Sequence, residues 1–359
     1  MATAHTLLVD TSGRVWSCGD NRSCQLGQET TYTSRANFEV IEGLEKILQV
    51  AKSGNHSLFL GDEGQTWGCG DNTNGCLGLT MTQANRGKLE ITYLTTSYTN
   101  SVFTDEDHLV WFCGQLPSYG EAVTPQLIPG LTNIVLVSTS DDYLLSLDLR
   151  GEVWELGHCP PISTESRDVS TPQRVTGLPP VKLVAAGTSA GFFVDYNANL
   201  WSYGSNSYNQ FGHIKPQLET SKPVVIAWPP NVLKISVGLS HLLILDEHGL
   251  AYGSAKTRGG YLAGHLIGMN NLTNHDQLCP IVRVDSLDDR VDYLIDVLAQ
   301  DYNSFFLDDQ YRVWACGANR CGSLGLNLPQ DKVVEQPELI KVTAQGGFCL
   351  DRVIQSSLG

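Results

Sequence analysis

The chain has ten cysteines, nine histidines and 38 acidic residues among 359, enough to build a metal site, an acid–base pair or a nucleophile. Spacing argues against each. No Cys-x-x-Cys pair occurs, so the strongest zinc signature is missing. Cys18, Cys69, Cys113 and Cys316 instead recur at one phase, each two residues after a tryptophan. A repeated small position is a packing position, and a free cysteine packs like a small apolar residue. Cys24, Cys76 and Cys321 fall in glycine-rich turns. Buried free thiols are therefore expected, and no metal. Turns such as Gly19–Gly27 and Gly70–Gly78 lack a Walker lysine and are tight turns, not phosphate loops. No Ser/His/Asp order, paired-carboxylate motif or His-Glu-x-x-His helix stands out, so no catalytic residue and no cofactor is expected. His265, His275 and Asp276 could ligate a metal, but they lie in a polar insert, 264–278, that reads more simply as a solvated loop.

The residues that remain form a series. Eleven positions before a recurring Trp or Tyr stand His5, His56, Asn100, Tyr143, Ala190, His241 and Asn303, with Asn55, Asp141, Asp142 and Asp301 beside them. A ring of polar side chains invites two readings: a face for a protein partner, or turn residues satisfying backbone groups.

The positioning elements are repeats. Trp16, Trp67, Trp111, Trp154, Trp201, Tyr252 and Trp314 anchor units spaced by 51, 44, 43, 47, 51 and 62 residues. Twenty residues before the anchors stand Ile47, Ile91, Ile134, Val181, Val232 and Leu294; seventeen before stand Val50, Leu94, Val137, Val184, Ile235 and Val297. Every position is aliphatic. Between these columns and the anchor lies a strand, a tight turn and the anchor strand, as in His56–Leu60, Asp62–Gly64 and Val153–Gly157. About four short strands per unit make a propeller blade. The reading is one all-β domain over 1–359, a seven-bladed β-propeller of four-stranded antiparallel blades, each ring position opening an inner strand at one channel mouth. Val291, Leu294, Ile295 and Leu298 also fit a helical period, but the repeat register assigns them to a strand. The first unit lacks its aliphatic pair. Leu339 and Val342 have the spacing to supply it, so the strand around Leu339–Gln345 is expected to join the blade holding Thr6–Val9 and close the ring through the two chain ends.

The unit, aliphatic-x-x-aliphatic, then His-Ser, Asp-x-Gly, Val-Trp-x-x-Gly and an Asn-containing turn ending Leu-Gly, resembles the repeat of the regulator of chromosome condensation family. The resemblance covers almost the whole chain. It implies the seven-bladed propeller, and among activities known in the family it includes nucleotide exchange on Ran-like small GTPases. Asp142 matches an aspartate by which the exchange factor contacts its GTPase, and His241 matches a histidine of the same surface. Two departures bear on this. Where the exchange factor has a protruding β-wedge, this chain has the short loop Gln115–Val123, and Met1 stands almost at the first strand where the exchange factor has a basic tail. The family's photoreceptor carries a second tryptophan set at the ring motif; here that motif has none.

Net charge is −15, which opposes binding to phosphate backbones, and no Lys/Arg run offsets it. The start lacks the regions of a signal peptide, and no long apolar run suits a membrane helix. The expectation is a cytoplasmic or nuclear protein, not secreted, with no membrane or direct nucleic-acid partner. The function read from these features is a non-enzymatic interaction propeller that binds another protein through one channel face, at His5, Asn55, His56, Asn100, Asp141, Asp142, His241, Asp301 and Asn303. The alternatives are exchange on a Ran-like GTPase and a self-associating structural protein. Asp142, His241 and Asp301 are expected to be partly exposed on one face.

Overall fold

The computed structural model describes residues 5–28, 32–78, 90–116, 119–158, 168–188, 190–205, 219–226, 229, 231–239, 241–255, 281–330, 332–342 and 348–349. These residues form seven small antiparallel sheets arranged as a seven-bladed propeller. Blade 3 shows the plan: Ile91–Thr96, Asn100–Asp105, Val110–Leu116 and Gly120–Leu127, each strand paired with the next. Blades 4 to 7 repeat it from Ile134, Val181, Val232 and Leu294. In blade 2 three strands are described, Ile47–Lys52, His56–Gly61 and Thr66–Gly70. The stretch with competing helical periodicity is the strand Leu294–Gln300, the innermost of blade 7.

Blade geometry follows from which residues are hidden. The first strands line a central channel of about 680 Å³. All six residues of each second strand in blades 1 to 7 are buried, because that strand is flanked within its sheet and pressed by neighbouring blades on both faces. Hence its near-continuous apolar character, as in Leu242–Leu245. Both aliphatic columns are buried except Val50, which is half-buried. A register shift follows the first residue of each inner strand in blades 2 to 7, a repeated bulge that adds twist where the strand leaves its connector.

Two devices recur. An aspartate six residues before the anchor caps the hairpin and holds the anchor ring: Trp16, Trp111, Trp154, Trp201 and Trp314 donate Nε1–H to Asp10, Asp105, Asp148, Asp195 and Asp308 over 2.7–3.2 Å. Tyr252 donates its hydroxyl to Asp246 in the same way. Blade 2 is the exception. Gly61 stands at the aspartate position, and Trp67 is 36% exposed. The second device is the Asn-containing turn, which crosses to the next blade. Gly75, at φ +74°, lies so near blade 3 that a Cβ would meet Val123 Cα at 2.6 Å.

The ring closes through the chain ends, but in a different register from the one expected. Leu339 ends the outer strand of blade 7, Val333–Leu339, opposite Trp314. Phe348–Cys349 pairs with the second strand of blade 1, Phe348 opposite Asp10 and Cys349 opposite Val9. Phe348 thus holds the place that Ile91 holds opposite Asp105. An outer strand and a closing strand both offer aliphatic residues at similar spacing, and the outer strand of blade 7 takes the first set. No helix among the described residues is long and apolar enough to cross a membrane.

Candidate functional site

The polar ring is internal. His5, His56, Asn100, Tyr143, Ala190, His241 and Asn303 are all buried, which corrects the expectation that His241 is partly exposed. The reason is reach: His5, His56, Asn100, Tyr143 and His241 extend sideways into the next blade. His5 Nε2 lies 2.8 Å from Ser57 Oγ, and His56 Nε2 lies 3.2 Å from Ser101 Oγ. His241 Nε2 lies 3.0 Å from Ser304 Oγ. The receiving serine follows the ring residue of its own blade, as in His56-Ser57, Asn100-Ser101 and Asn303-Ser304. Tyr143 donates its hydroxyl to the carbonyls of Gly187 and Ala190. Asn100 donates to Ser140 O and accepts from Thr139 Oγ1. At the last seam Asn303 Nδ2 donates to Ser323 Oγ at 2.8 Å, and Ser323 O accepts from Thr6 Oγ1 at 2.7 Å.

Burial makes the three imidazoles poor bases. It pushes His56 and His241 down to about 4. His5 is held well below the usual range by burial first, then by the positive charge of Lys52 and by His56. They are neutral fasteners between blades at neutral pH.

The cysteine column works at the same seams. Cys18, Cys69 and Cys113 point their thiols at the carbonyls of Ser323, Gln25 and Cys76, at 3.6, 3.4 and 3.1 Å. Each acceptor stands nine residues after the anchor of the preceding blade. Burial raises the Cys18, Cys113 and Cys316 thiols far above the usual range, Cys69 to about 12 and Cys76 to about 11. Such thiols are not nucleophiles at neutral pH.

What remains at the surface is the loop layer above the ring, between first and second strands. Asp141 and Asp142 are exposed; Asn55 and Asp301 are half-buried. Their loops line the same mouth of the channel. Asn55 Nδ2 donates to Tyr98 Oη at 2.9 Å, and Tyr98 N donates to Asp141 Oδ1 at 2.7 Å, joining blades 2, 3 and 4. Asp301 pairs with Lys52, the last residue of the inner strand of blade 2, 249 residues away. Leu239 N also donates to Asp301 O at 3.0 Å. One residue of blade 7 thereby ties blades 6 and 2. Among the described residues the Asp142 carboxylate has no hydrogen-bond or ion-pair partner; Tyr98, bonded to the neighbouring Asp141, and Leu239, bonded to Asp301, are about half exposed on the same mouth, at 51% and 46%.

The structure therefore brings Asn55, Asp141, Asp142 and Asp301 to one mouth and withdraws His5, His56, Asn100, His241 and Asn303 beneath it. Lys52, Tyr98 and Leu239 belong to the mouth and were not singled out from the sequence. Tyr98 and Leu239 share an offset, thirteen residues before the anchor and two after an inner strand, and that was the available signal; Lys52, the last residue of its inner strand, has no such mark. His265, His275 and Asp276 lie outside the described residues. Within the stretch Gln115–Val123, Leu116 and Gly120 pair directly, ending the third strand and opening the fourth.

Comparison with known proteins agrees with this architecture. The family model for the regulator of chromosome condensation (RCC1) repeat matches residues 12–60 and 197–245. The chain is similar to the human probable E3 ubiquitin-protein ligase HERC6, 29% identical over 253 residues, covering 60% of this chain and 24% of the ligase. It is also similar to the guanine nucleotide exchange factor SRM1 of Saccharomyces cerevisiae, 24% identical over 295 residues, covering 70% of this chain and 54% of that protein. The match thus spans about a quarter of the ligase and half of the exchange factor. Among solved structures, yeast RCC1 (Prp20) bound to Kap60 superposes with a TM-score of 0.79 at 20% identity, over 96% of this chain and 86% of that one. With its repeated unit, its seven blades and these matches, the chain is a seven-bladed propeller that carries regulator of chromosome condensation repeats at residues 12–60 and 197–245 and is similar in fold to the yeast RCC1 propeller.

Proposed function

We propose that the protein is a non-enzymatic interaction module that binds a partner protein at the loop-lined mouth containing Asn55, Asp141, Asp142 and Asp301. One observation carries the reading: an exposed, unpaired carboxylate, Asp142, stands on loops that cross-bonds hold from blade to blade. A preorganised mouth loses little freedom on binding. Tyr98 adds apolar area next to that charge, and Leu239 adds it elsewhere on the same mouth, beside Asp301. The neutral, buried histidines and thiols beneath offer a partner no acid, base or nucleophile.

Nucleotide exchange on a Ran-like GTPase is the second reading. Exchange asks only that a partner distort the nucleotide site, and the likeness to SRM1 together with the exposure of Asp142 favours it. The direct pairing of Leu116 with Gly120 and the burial of His241 weigh the other way. Release of a fluorescent guanine nucleotide from a Ran-like GTPase separates the two. The interaction reading expects an unchanged off-rate with wild-type propeller. A large acceleration that disappears in Asp142→Ala would establish exchange instead.

A further inference from the structure

The opposite end of the channel carries a second surface. Inner strands run from one mouth to the other, so the hairpin tips, between second and third strands, crown the far rim. Their placement repeats from blade to blade. Ile47, Ile91, Ile134, Val181, Val232 and Leu294 donate backbone N–H to Gly13, Gly64, His108, Gly151, Ala198 and Gly249, each bond joining a tip to the next blade at 2.9–3.3 Å. Glu106, Leu149, Glu247 and Asp309 donate N–H to the residue just before their own inner strand, at 2.9–3.1 Å. The tip residues are thus equivalent positions on one rim, and their chemistry is unevenly distributed.

Blades 4 and 5 present Leu149, 47% exposed, and Tyr196, 55% exposed. Leu233 of blade 6, 37% exposed, follows the strand start that bonds to the tip of blade 5. Large apolar side chains at consecutive equivalent positions form a sector, unlike scattered surface leucines. On blades 2 and 3 the same rim carries Asp62, Glu63, Glu90, Glu106 and Asp107, all exposed. Lys46, 3.5 Å from Asp62, is the cation paired to this group among the described residues. The carboxylates crowd one another: the charge of Glu90 pushes the Glu106 carboxyl up, and Asp107 adds to this. Beside Leu149 and Tyr196 stand cations instead, Arg150 exposed on the tip of blade 4 and Lys182 half-buried at the start of blade 5; the nearest exposed carboxylate beyond Leu233 is Glu247, on the tip of blade 6.

We infer that this rim is a second docking surface, which takes a partner segment consisting of an apolar anchor followed by a run of basic residues. The anchor sits on Leu149, Tyr196 and Leu233, and the basic run lies over the carboxylates of blades 2 and 3. The charge layout fixes the occupant. Arg150 and Lys182 reject a cation at the anchor end, and the carboxylates reject an anion at the other. This surface stands independently of the loop mouth and would survive the failure of that reading.

The test is fluorescence anisotropy with the full chain and labelled peptides carrying a Phe-Leu anchor followed by lysines. Replacing the anchor by Gly-Ser should weaken binding by about tenfold, as loss of a buried apolar contact does. Replacing the lysines by glutamates should abolish it. The double variants Leu149→Ser/Tyr196→Ser and Glu106→Gln/Asp107→Asn should each weaken the parent peptide by about tenfold or more with unchanged melting, since tip residues contribute little to stability. The inference is overturned if no peptide binds, or if the Gly-Ser and Phe-Leu peptides bind alike, which marks mere counter-ion attraction. Loss of binding in Asp142→Ala, with both tip variants unaffected, overturns it too, since that places the peptide at the loop mouth.

Discussion

His241 Nε2 lies 3.0 Å from Ser304 Oγ, so a histidine on the second strand of blade 6 is fastened to the second strand of blade 7, 63 residues on. The His5–Ser57 and His56–Ser101 pairs repeat this bond at two other seams. The fold is a ring of blades joined side to side by buried neutral polar pairs, with the candidate binding loops standing on that ring.

This arrangement predicts acid sensitivity. The unfolded histidines have their ordinary value near 6.5, whereas folded His56 and His241 are at about 4. Between those values the unfolded chain binds protons that the native chain refuses. Stability is therefore fully present above pH ~6.5 and falls as pH drops toward ~4, by on the order of 3 kcal/mol for each of these two residues. Urea unfolding at a series of pH values should show this slope, and His241→Gln should flatten it. A denaturation midpoint constant from pH 7 to pH 4.5 would show that the seams do not hold neutral histidine. Asp10 adds to the same acid sensitivity further down the scale: burial pushes its carboxyl up, but hydrogen bonds from Ser12, Trp16 and Arg14 outweigh this and hold it down, so its contribution is lost only at still lower pH.

Ring closure depends on a short strand. Removing residues 348–359 deletes the pairing of Phe348–Cys349 with Val9–Asp10 and exposes the edge of blade 1. Thermal unfolding should shift down by at least about 5 °C. A truncated chain that melts with the wild type would mean that the ring is held elsewhere, and the Lys52–Asp301 bridge across blade 1 would be the first place to look.

The anchor aspartates should be costly to lose. Asp308 is fully buried and accepts from Trp314 Nε1, from Arg312 and from two backbone N–H groups. Asp308→Ala leaves these donors unpaired and should destabilise by about 3 kcal/mol, read by chemical denaturation. Gly61 shows that one blade does without the device, so a loss under about 0.5 kcal/mol would mean that blade 7 also does not need it.

Thiol reactivity should be sharply divided. Cys24 is exposed and should react with a soluble thiol reagent under native conditions. Cys18, Cys113 and Cys316 are fully buried, with thiols pushed far up, and should react only on unfolding. Site-resolved mass spectrometry after brief labelling distinguishes them. Native labelling of Cys113 as fast as Cys24 would refute the seam assignment.

Much of the architecture was legible because the repeats carry it. Two aliphatic columns marked the first strand of each blade, and that register rightly outweighed the helical spacing of Leu294, Ile295 and Leu298; the strand opened by the polar ring, expected to be the inner one, is the second, and the first strand lines the channel. The ring was legible as a set but not as a location. Histidine and asparagine at strand starts look like loop residues, and the serines that hold the histidines lie 45–63 residues away on the next blade. A spacing argument within one repeat cannot see a contact between repeats, although the recurring His-Ser and Asn-Ser doublets were its trace. The closing strand was misplaced for a related reason: Leu339 satisfies an outer-strand position and a closing position equally well, and only the pairing with Trp314 decides.

The central claim is that a partner protein docks on the loop mouth around Asp142. Its most direct test is affinity capture by wild type and by Asp142→Arg, compared by quantitative mass spectrometry at matched stability. At least one protein bound by wild type should fall by about tenfold or more with the variant, because reversing an unpaired interface charge costs at least ~1.4 kcal/mol. Identical capture by both proteins would contradict the claim.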